Sequence, residues 1–456
     1  MKSYRFAILA LMLAWFLPAL SQAPAGEPEK PAPRITYVKA GRLFDGTGDT
    51  YRDNVVIVVK GDRIEAVEPA AGANIPKAAD VVDLSRAVVL PGLIDCHTHL
   101  GARADRYNPI FTFKDTPFDS AFAAVRSART TLLAGFTSVR DVGSLPFLAV
   151  DLRKSIDAGY LAGPRIVASG PAISITGGHG DVNGYSPQTS VEMFPAERDF
   201  AIADGIDQVR HVVRAQIKYG VDVVKMMASG GVLSLGDQPG APQFSEDELK
   251  LAAEEAHKAG RKIAAHAHGT QSIKDAINAG FDSIEHASLI DDEGLRLAKE
   301  HGTWLVFDIY NDDYIRGEAK KFGIQQEQVD KEAQVGEQQR ENFAKAVKAG
   351  EKLAFGTDAG VYPHGMNAHQ FFYMVKYGMT PAQAIRSATS DAAQLIARPG
   401  VKPQVGTVAP GMYADLIAVT ADPLQDVRAL ENVQFVMKGG TIYKDQLTGH
   451  AVDQTE

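Results

Sequence analysis

His97 and His99 are one residue apart in Asp95-Cys-His-Thr-His, and four further runs carry side chains of related chemistry. They are Lys225 in Val223-Val-Lys-Met-Met, His266 and His268 in Ala264-Ala-His-Ala-His, His286 in Ile284-Glu-His, and Asp358 in Phe355-Gly-Thr-Asp. Imidazole nitrogens with a carboxylate are donors that suit zinc. Residues two apart on a strand face the same side, so His97 and His99 can meet one ion together. A lone His-x-His pair says little. Five such runs in one chain define a candidate metal centre. Cys96, the only cysteine, points to the opposite face from His97 and reads as a packed core thiol.

Lys225 is the most informative of these residues. A fully buried lysine is costly unless its charge is paired or removed. Carbon dioxide added to its amine gives a carbamate, N6-carboxylysine, an anion whose two oxygens can bridge two divalent ions. The alternative is a lysine near a strand end that reaches solvent.

The elements that must position these groups form a repeating unit. Amphipathic helices end at Gly135, Gly159, Gly220, Gly260, Gly280, Gly302 and Gly350, and a short apolar strand follows each. Those strands begin at Thr137, Arg165, Asp222, Lys262, Asp282, Thr303 and Lys352, and Ala87-Val-Val-Leu makes an eighth. Ser245 with Glu248 has capping-box spacing, and Thr380-Pro381 puts proline at a helix start. Strands alternating with helices imply parallel pairing, and eight units most simply close into a (β/α)8 barrel over residues 87–402. In such a barrel, catalytic groups gather at the carboxyl ends of the strands, where five of these strands carry the residues above. Residues 36–86 and 403–446 carry short strands and turns outside the repeat. They read as two halves of one small composite β-sandwich domain.

Lys2 and Arg5 precede an apolar run from Phe6 to Leu20, with small residues around Ala23 and Ala25. This is the pattern of a secretory signal over residues 1–25, which predicts a periplasmic or secreted protein. A disordered leader, 26–35, follows. Of the 456 residues, 45% are apolar and 23% charged, ordinary for a globular chain with a sizeable core. The net charge of −9 argues against nucleic acid as a partner, and no basic run suggests a membrane surface. Homo-oligomerisation is left open.

The constellation resembles the amidohydrolase superfamily from about residue 36 to 446. Pro91-Gly-Leu-Ile-Asp-Cys-His-Thr-His is similar to its first-strand signature and Gly356-Thr-Asp to its eighth, with Lys225, His266, His286 and Asp358 in the expected order. Thr137-Ser-Val-Arg-Asp-Val-Gly, Gly177-Gly-His-Gly, Lys225-Met-Met-Ala-Ser-Gly-Gly and Asp282-Ser-Ile-Glu-His resemble one branch in particular. It comprises Xaa-Pro and Xaa-Arg/Lys dipeptidases, ochratoxin-degrading amidases and imidazolonepropionase-related enzymes. Position 268 is histidine, where the Xaa-Pro dipeptidases have tyrosine; it is more like the ochratoxin-degrading members.

The resemblance implies a binuclear metal-dependent amidohydrolase, with two divalent ions, zinc for preference. His97, His99 and Asp358 would hold one ion, His266 and His286 the other, with carbamylated Lys225 between them. A hydroxide shared by the ions would attack the amide of a dipeptide or N-acyl amino acid. Asp358 would move the proton and His268 steady the oxyanion. His179, in a glycine-rich loop, is the first candidate for substrate contact. Arg140 can either pair a substrate carboxylate or sit in a salt bridge with Asp141 or another acid. Hydrolysis of a cyclic amide is the enzymatic alternative, and a non-catalytic scaffold the last.

Overall fold

The computed structural model describes residues 33–193 and 199–454. The expected signal segment, 1–25, and most of the expected leader lie outside the described residues.

Near its start the chain alternates apolar and polar residues, and β1 (Ile35–Leu43) buries every second side chain from Thr36 to Ala40. It pairs antiparallel with β2 (Arg52–Lys60), which pairs with β3 (Arg63–Pro69), and parallel with β4 (Asp80–Pro91). Three late strands, β12 (Leu416–Val419), β13 (Phe435–Lys438) and β14 (Thr441–Asp445), extend the same sheet from the other edge of β4. The order is β14-β13-β12-β4-β1-β2-β3, one continuous seven-stranded sheet built from both ends of the described chain. Val38, Leu43, Ile57, Val82, Leu416 and Phe435 belong to its own apolar core.

The remaining strands lie in two parallel sheets. One holds β5 (Leu93–Thr98), β6 (Phe136–Asp141) and β7 (Arg165–Ala168). The other holds β8 (Val223–Met227), β9 (Lys262–Ala267), β10 (Ser283–His286) and β11 (Trp304–Val306). The architecture is mixed α/β, and two of the eight expected strands differ from expectation. Ala87–Leu90 lies inside β4 of the terminal sheet, and β5 begins the parallel series instead. Both runs are apolar, and β4 faces two cores at once: Val89 joins the terminal-sheet core, while Val88 and Leu90 join the larger one. Periodicity alone cannot separate two neighbouring strands that are both buried on two sides. The run from Lys352 forms no regular strand. It makes single backbone bonds, Leu305 N–H to Lys352 O (2.9 Å) and Cys96 N–H to Phe355 O (2.8 Å), between β11 and β5.

All seven glycines read as helix stops have positive φ. At Gly302 (φ 72°) the N–H closes the last turn onto Lys299 O, a conformation that Cβ would penalise. The Ser245–Glu248 capping box and the Thr380 cap with proline at the first turn are both formed.

After β11 one helix, ending at Gly350, is expected, and the structure adds another before it. Two helices, Asn311–Phe322 and Gln326–Ala349, form a hairpin seated by Ile315, Ile324 and Val335 against Val232 and Val361 of two loops. Among the described residues no helix is long and apolar enough to cross a membrane.

Candidate active site

His97 ends β5 on the buried side and His99 follows one residue beyond it. His97 Nδ1 lies 3.0 Å from Glu285 Oε2, and His99 Nδ1 lies 2.7 Å from the Gly143 carbonyl. A carbonyl or carboxylate oxygen only accepts, so each Nδ1 carries a proton, and on His97 the lone pair is left at Nε2. His97 Nε2 is buried with no hydrogen-bond partner, and it stands 3.5 Å from Asp358 Oδ1. His99 Nε2 stands 3.1 Å from the same oxygen. Burial, reinforced by the charge of Lys225, holds the His97 imidazole well below its usual pKa, so it is neutral. Burial works against charge on both Asp358 and His99, but their mutual hydrogen bond and attraction more than offset it, raising the His99 pKa and lowering that of Asp358.

β9 and β10 bring the other histidines against this pair. His286 is the hub: its ring centroid lies 4.5 Å from that of His266, 4.8 Å from His268 and 4.9 Å from His97. Two overlapping groups can each converge on one ion, His266–His268–His286 and His97–His286–Asp358. Burial also pushes His266 and His268 well below the usual histidine range. His286, Ala287 and Asp358 have φ of 68°, 50° and 57°, left-handed backbone at non-glycine residues. Each such residue costs on the order of 1–3 kcal/mol and persists only where its surroundings fix it.

Lys225 stands in β8, 1% exposed. Among the described residues its Nζ has no hydrogen bond and no ion pair. Burial drives its pKa down to about 8. Neutral imidazoles, an orphaned ring nitrogen, an ionised carboxylate and an unpaired buried amine together fit divalent ions held as a close pair. Cys96 is buried among Ile94, Val306 and Ala393, away from this cluster, as a core thiol should be.

The cluster floors a cavity of about 450 Å³, which His179 also lines. His179 Nδ1 lies 2.8 Å from Ser234 Oγ, whose proton goes to Asp237 Oδ1 at 2.5 Å. The serine therefore accepts from His179, leaving His179 Nε2 as an acceptor, and burial lowers its pKa to about 4. His179 thus faces the cavity as a neutral imidazole with an acceptor nitrogen. Arg140 is a correction. It is 2% exposed and outside the cavity lining, bound to Glu285 Oε1 at 2.7 Å and to the Cys96 carbonyl at 2.5 Å. Of its two expected readings, the salt bridge is the one formed, with Glu285 in place of Asp141.

Sequence reasoning missed Glu285, whose carboxylate joins Arg140 to His97 and fixes that imidazole's tautomer. Its signal was present, an acid inside the strand Asp282-Ser-Ile-Glu-His. It missed Asp308, 3.0 Å from His286 Nδ1, and the arginines at the cavity mouth, Arg103 and Arg106, in the loop after β5. It also missed the hairpin's contribution, of which Asn311 donates to Asp358 Oδ2 at 3.1 Å.

Residues 88–444 match the model of the amidohydrolase family. The chain belongs to that family. This amidohydrolase is 34% identical over 433 residues to ochratoxinase of Aspergillus niger, covering 90% of the chain and 87% of that protein. It is 22% identical to an imidazolonepropionase of Idiomarina loihiensis over 84% of the chain and 90% of that enzyme. Among solved structures it superposes on a Xaa-Pro dipeptidase with methionine bound in its active site (TM-score 0.84, 37% identity, 90% of this chain and all of that one). It also superposes on A. niger ochratoxinase (TM-score 0.80, 32% identity, 91% and 96%). The amidohydrolase is a hydrolase of amide bonds.

Proposed function

We propose that the enzyme cleaves the amide of a dipeptide or N-acyl amino acid bearing a free carboxylate, and releases the C-terminal amino acid. The observation that carries this reading is the convergence of His97, His266, His286, Asp358 and unpaired Lys225 on one cavity floor. His97, His99 and Asp358 would hold one ion and His266 and His286 the other, with His286 also within reach of the first. Lys225 would serve both as a carbamate, formed when its amine adds to carbon dioxide and loses a proton. Divalent ions bound there, zinc by donor type, supply Lewis acidity and a water that ionises near neutral pH.

The chain's own groups do the rest. Asp358 accepts the proton of the attacking water at its carboxylate and returns it to the departing amine nitrogen. His268, oriented through Nδ1 by Ser288 Oγ at 2.8 Å, presents Nε2 to the carbonyl oxygen as charge develops. Arg103 and Arg106 are about 70% covered and, among the described residues, form ion pairs with Asp105 and Asp115 of their own loop, so they can turn to a substrate carboxylate. The likeness to ochratoxinase and to a Xaa-Pro dipeptidase supports a substrate of this kind.

Two further readings accompany it. The two parallel sheets close into one eight-stranded barrel, supported by the bridges Ile173–Met226, Leu305–Leu353 and Thr98–Ala359, with the terminal sheet as a second domain. The segment 1–25 directs export to the periplasm or beyond.

The test is a panel of dipeptides and N-acyl amino acids, each paired with its C-terminal amide, against zinc-reconstituted enzyme. Amidation should lower kcat/KM about tenfold or more, about 1.4 kcal/mol. Equal efficiency on acid and amide would overturn the carboxylate reading. Turnover confined to cyclic amides would replace it.

A further inference from the structure

The Gln326–Ala349 helix puts an acid in the cavity wall. Glu332 lines the cavity and is 5% exposed. Among the described residues its carboxylate has no hydrogen bond and no ion pair. The cations around it are committed elsewhere. Arg340 gives Nη1 to Asp312 at 3.1 Å and Nη2 to Asp313 at 3.0 Å, and Arg316 reaches Asp312 at 3.4 Å. Lys331, the adjacent residue, is held by Asp237 at 2.7 Å and the Ser234 carbonyl at 2.9 Å.

Room is kept for this acid at a cost to the helix. A Cβ at Gly336 would sit 2.7 Å from Glu332 Oε1 and 2.6 Å from Asp312 Oδ1. Glycine inside a helix is less favourable than alanine, and here it lets two carboxylates converge. Burial, with the charges of Asp312 and Asp308, pushes the Glu332 carboxyl up to about 8. A buried carboxyl without a partner is unfavourable, and a cation brought to it in a water-poor wall makes a strong charge-assisted bond.

We propose that Glu332 receives a primary ammonium of the substrate, the free N-terminal amine of a dipeptide, so that the enzyme is a dipeptidase and not an N-acyl amino acid hydrolase. This rests on the amidase reading above and deepens it. Arg103 and Arg106 face the carboxylate end, and Glu332 the amine end, of one zwitterion.

The experiment compares Ala-Phe, N-acetyl-Ala-Phe and N-acetyl-Ala-Lys on zinc-loaded wild type and on Glu332→Gln. Wild type should favour Ala-Phe over its N-acetyl form about tenfold or more in kcat/KM, and the variant should lose that preference. Its rate on N-acetyl-Ala-Phe should stay within about threefold of wild type, which shows an intact fold and centre. A preference for the lysine substrate that vanishes in the variant would assign the ammonium to a side chain, and the N-terminal assignment would fall. Equal handling of all three by wild type, or an unchanged preference in the variant, would overturn the proposal. Calorimetry with ketomethylene analogues of Ala-Phe, free and N-acetylated, repeats the comparison without turnover. A Glu332-dependent gap in affinity there would stand even if no amide were cleaved, which separates this inference from the amidase reading.

Discussion

In the terminal sheet the buried side chains are Val38, Leu43, Ile57, Val82, Leu416 and Phe435. At the strand ends that floor the cavity, His97, Lys225, His266, Glu285 and His286 are buried just as deeply. Burying an aliphatic or aromatic side chain stabilises a fold by about 1.5–3 kcal/mol, whereas burying an ionisable group without a partner costs. One region holds the structure together, and the other is held in place by it. Two lysines make the same contrast inside the larger unit. Lys331 and Lys225 are 2% and 1% exposed, but Lys331 is bonded to Asp237 and Ser234 while Lys225 has no partner among the described residues. A buried lysine with a partner is architecture. One without is waiting for chemistry.

The comparison breaks first at Lys225. Lys225→Met should lose nearly all turnover and one of about two bound ions per chain, read by elemental analysis and steady-state kinetics. In metal-free protein the same substitution should leave the melting temperature equal or higher, because an apolar group replaces an unpaired amine. Wild-type activity in this variant would remove Lys225 from the centre. Glu285→Gln comes next, since it weakens the hold on both Arg140 and His97. We expect a loss of about 3–5 kcal/mol in denaturant unfolding, and metal affinity down about 10–100-fold by competition with a chelator. Retained affinity would mean that His97 needs no orienting partner.

Lys331→Met should behave opposite to Lys225→Met. It strands Asp237, so stability should fall by about 3 kcal/mol, while the metal content stays unchanged. In the terminal sheet, Ile57→Ala should cost about 2–4 kcal/mol and leave kcat within about twofold, because its cavity opens far from the strand ends. The smallest effect belongs to His257, half exposed and 2.9 Å from Asp282, whose hydrogen bond raises its pKa above the ordinary 6.5. A raised histidine pKa gives stability that is full below the unfolded value and fades as pH rises through the folded one. The pair should add a few tenths of a kcal/mol at about pH 6 over about pH 8, a difference absent from His257→Gln.

What the sequence revealed and what it hid divide along range of interaction. Helix stops are local, since Gly135 or Gly302 ends a helix by its own φ, and all seven were legible. The residues gathered on the cavity floor were legible because strand periodicity and strand-end position are also local properties. Arg140 and Glu285 are 145 residues apart, and nothing near Arg140 reveals that its acid is Glu285 and not the adjacent Asp141. Of the hairpin after β11 only the end at Gly350 was read, and the rest escaped for a different reason. Its helices carry Asp312, Lys331, Glu332 and Arg340 in buried positions, so their apolar stripe is interrupted where they meet the cavity and each other.

The joint between the two sheets sets an order on biogenesis. β4 and β5 are separated by Gly92 alone, whose N–H bonds to the Asp415 carbonyl at 2.9 Å. The strand that carries His97 is thus anchored by residues made more than 300 positions later. Contacts so distant in sequence close slowly, and until β12 arrives one edge of β4 has no neighbour. The ribosome must therefore finish most of the polypeptide before the first pair of histidines is locked, and a late frameshift would reach them from the far end of the gene.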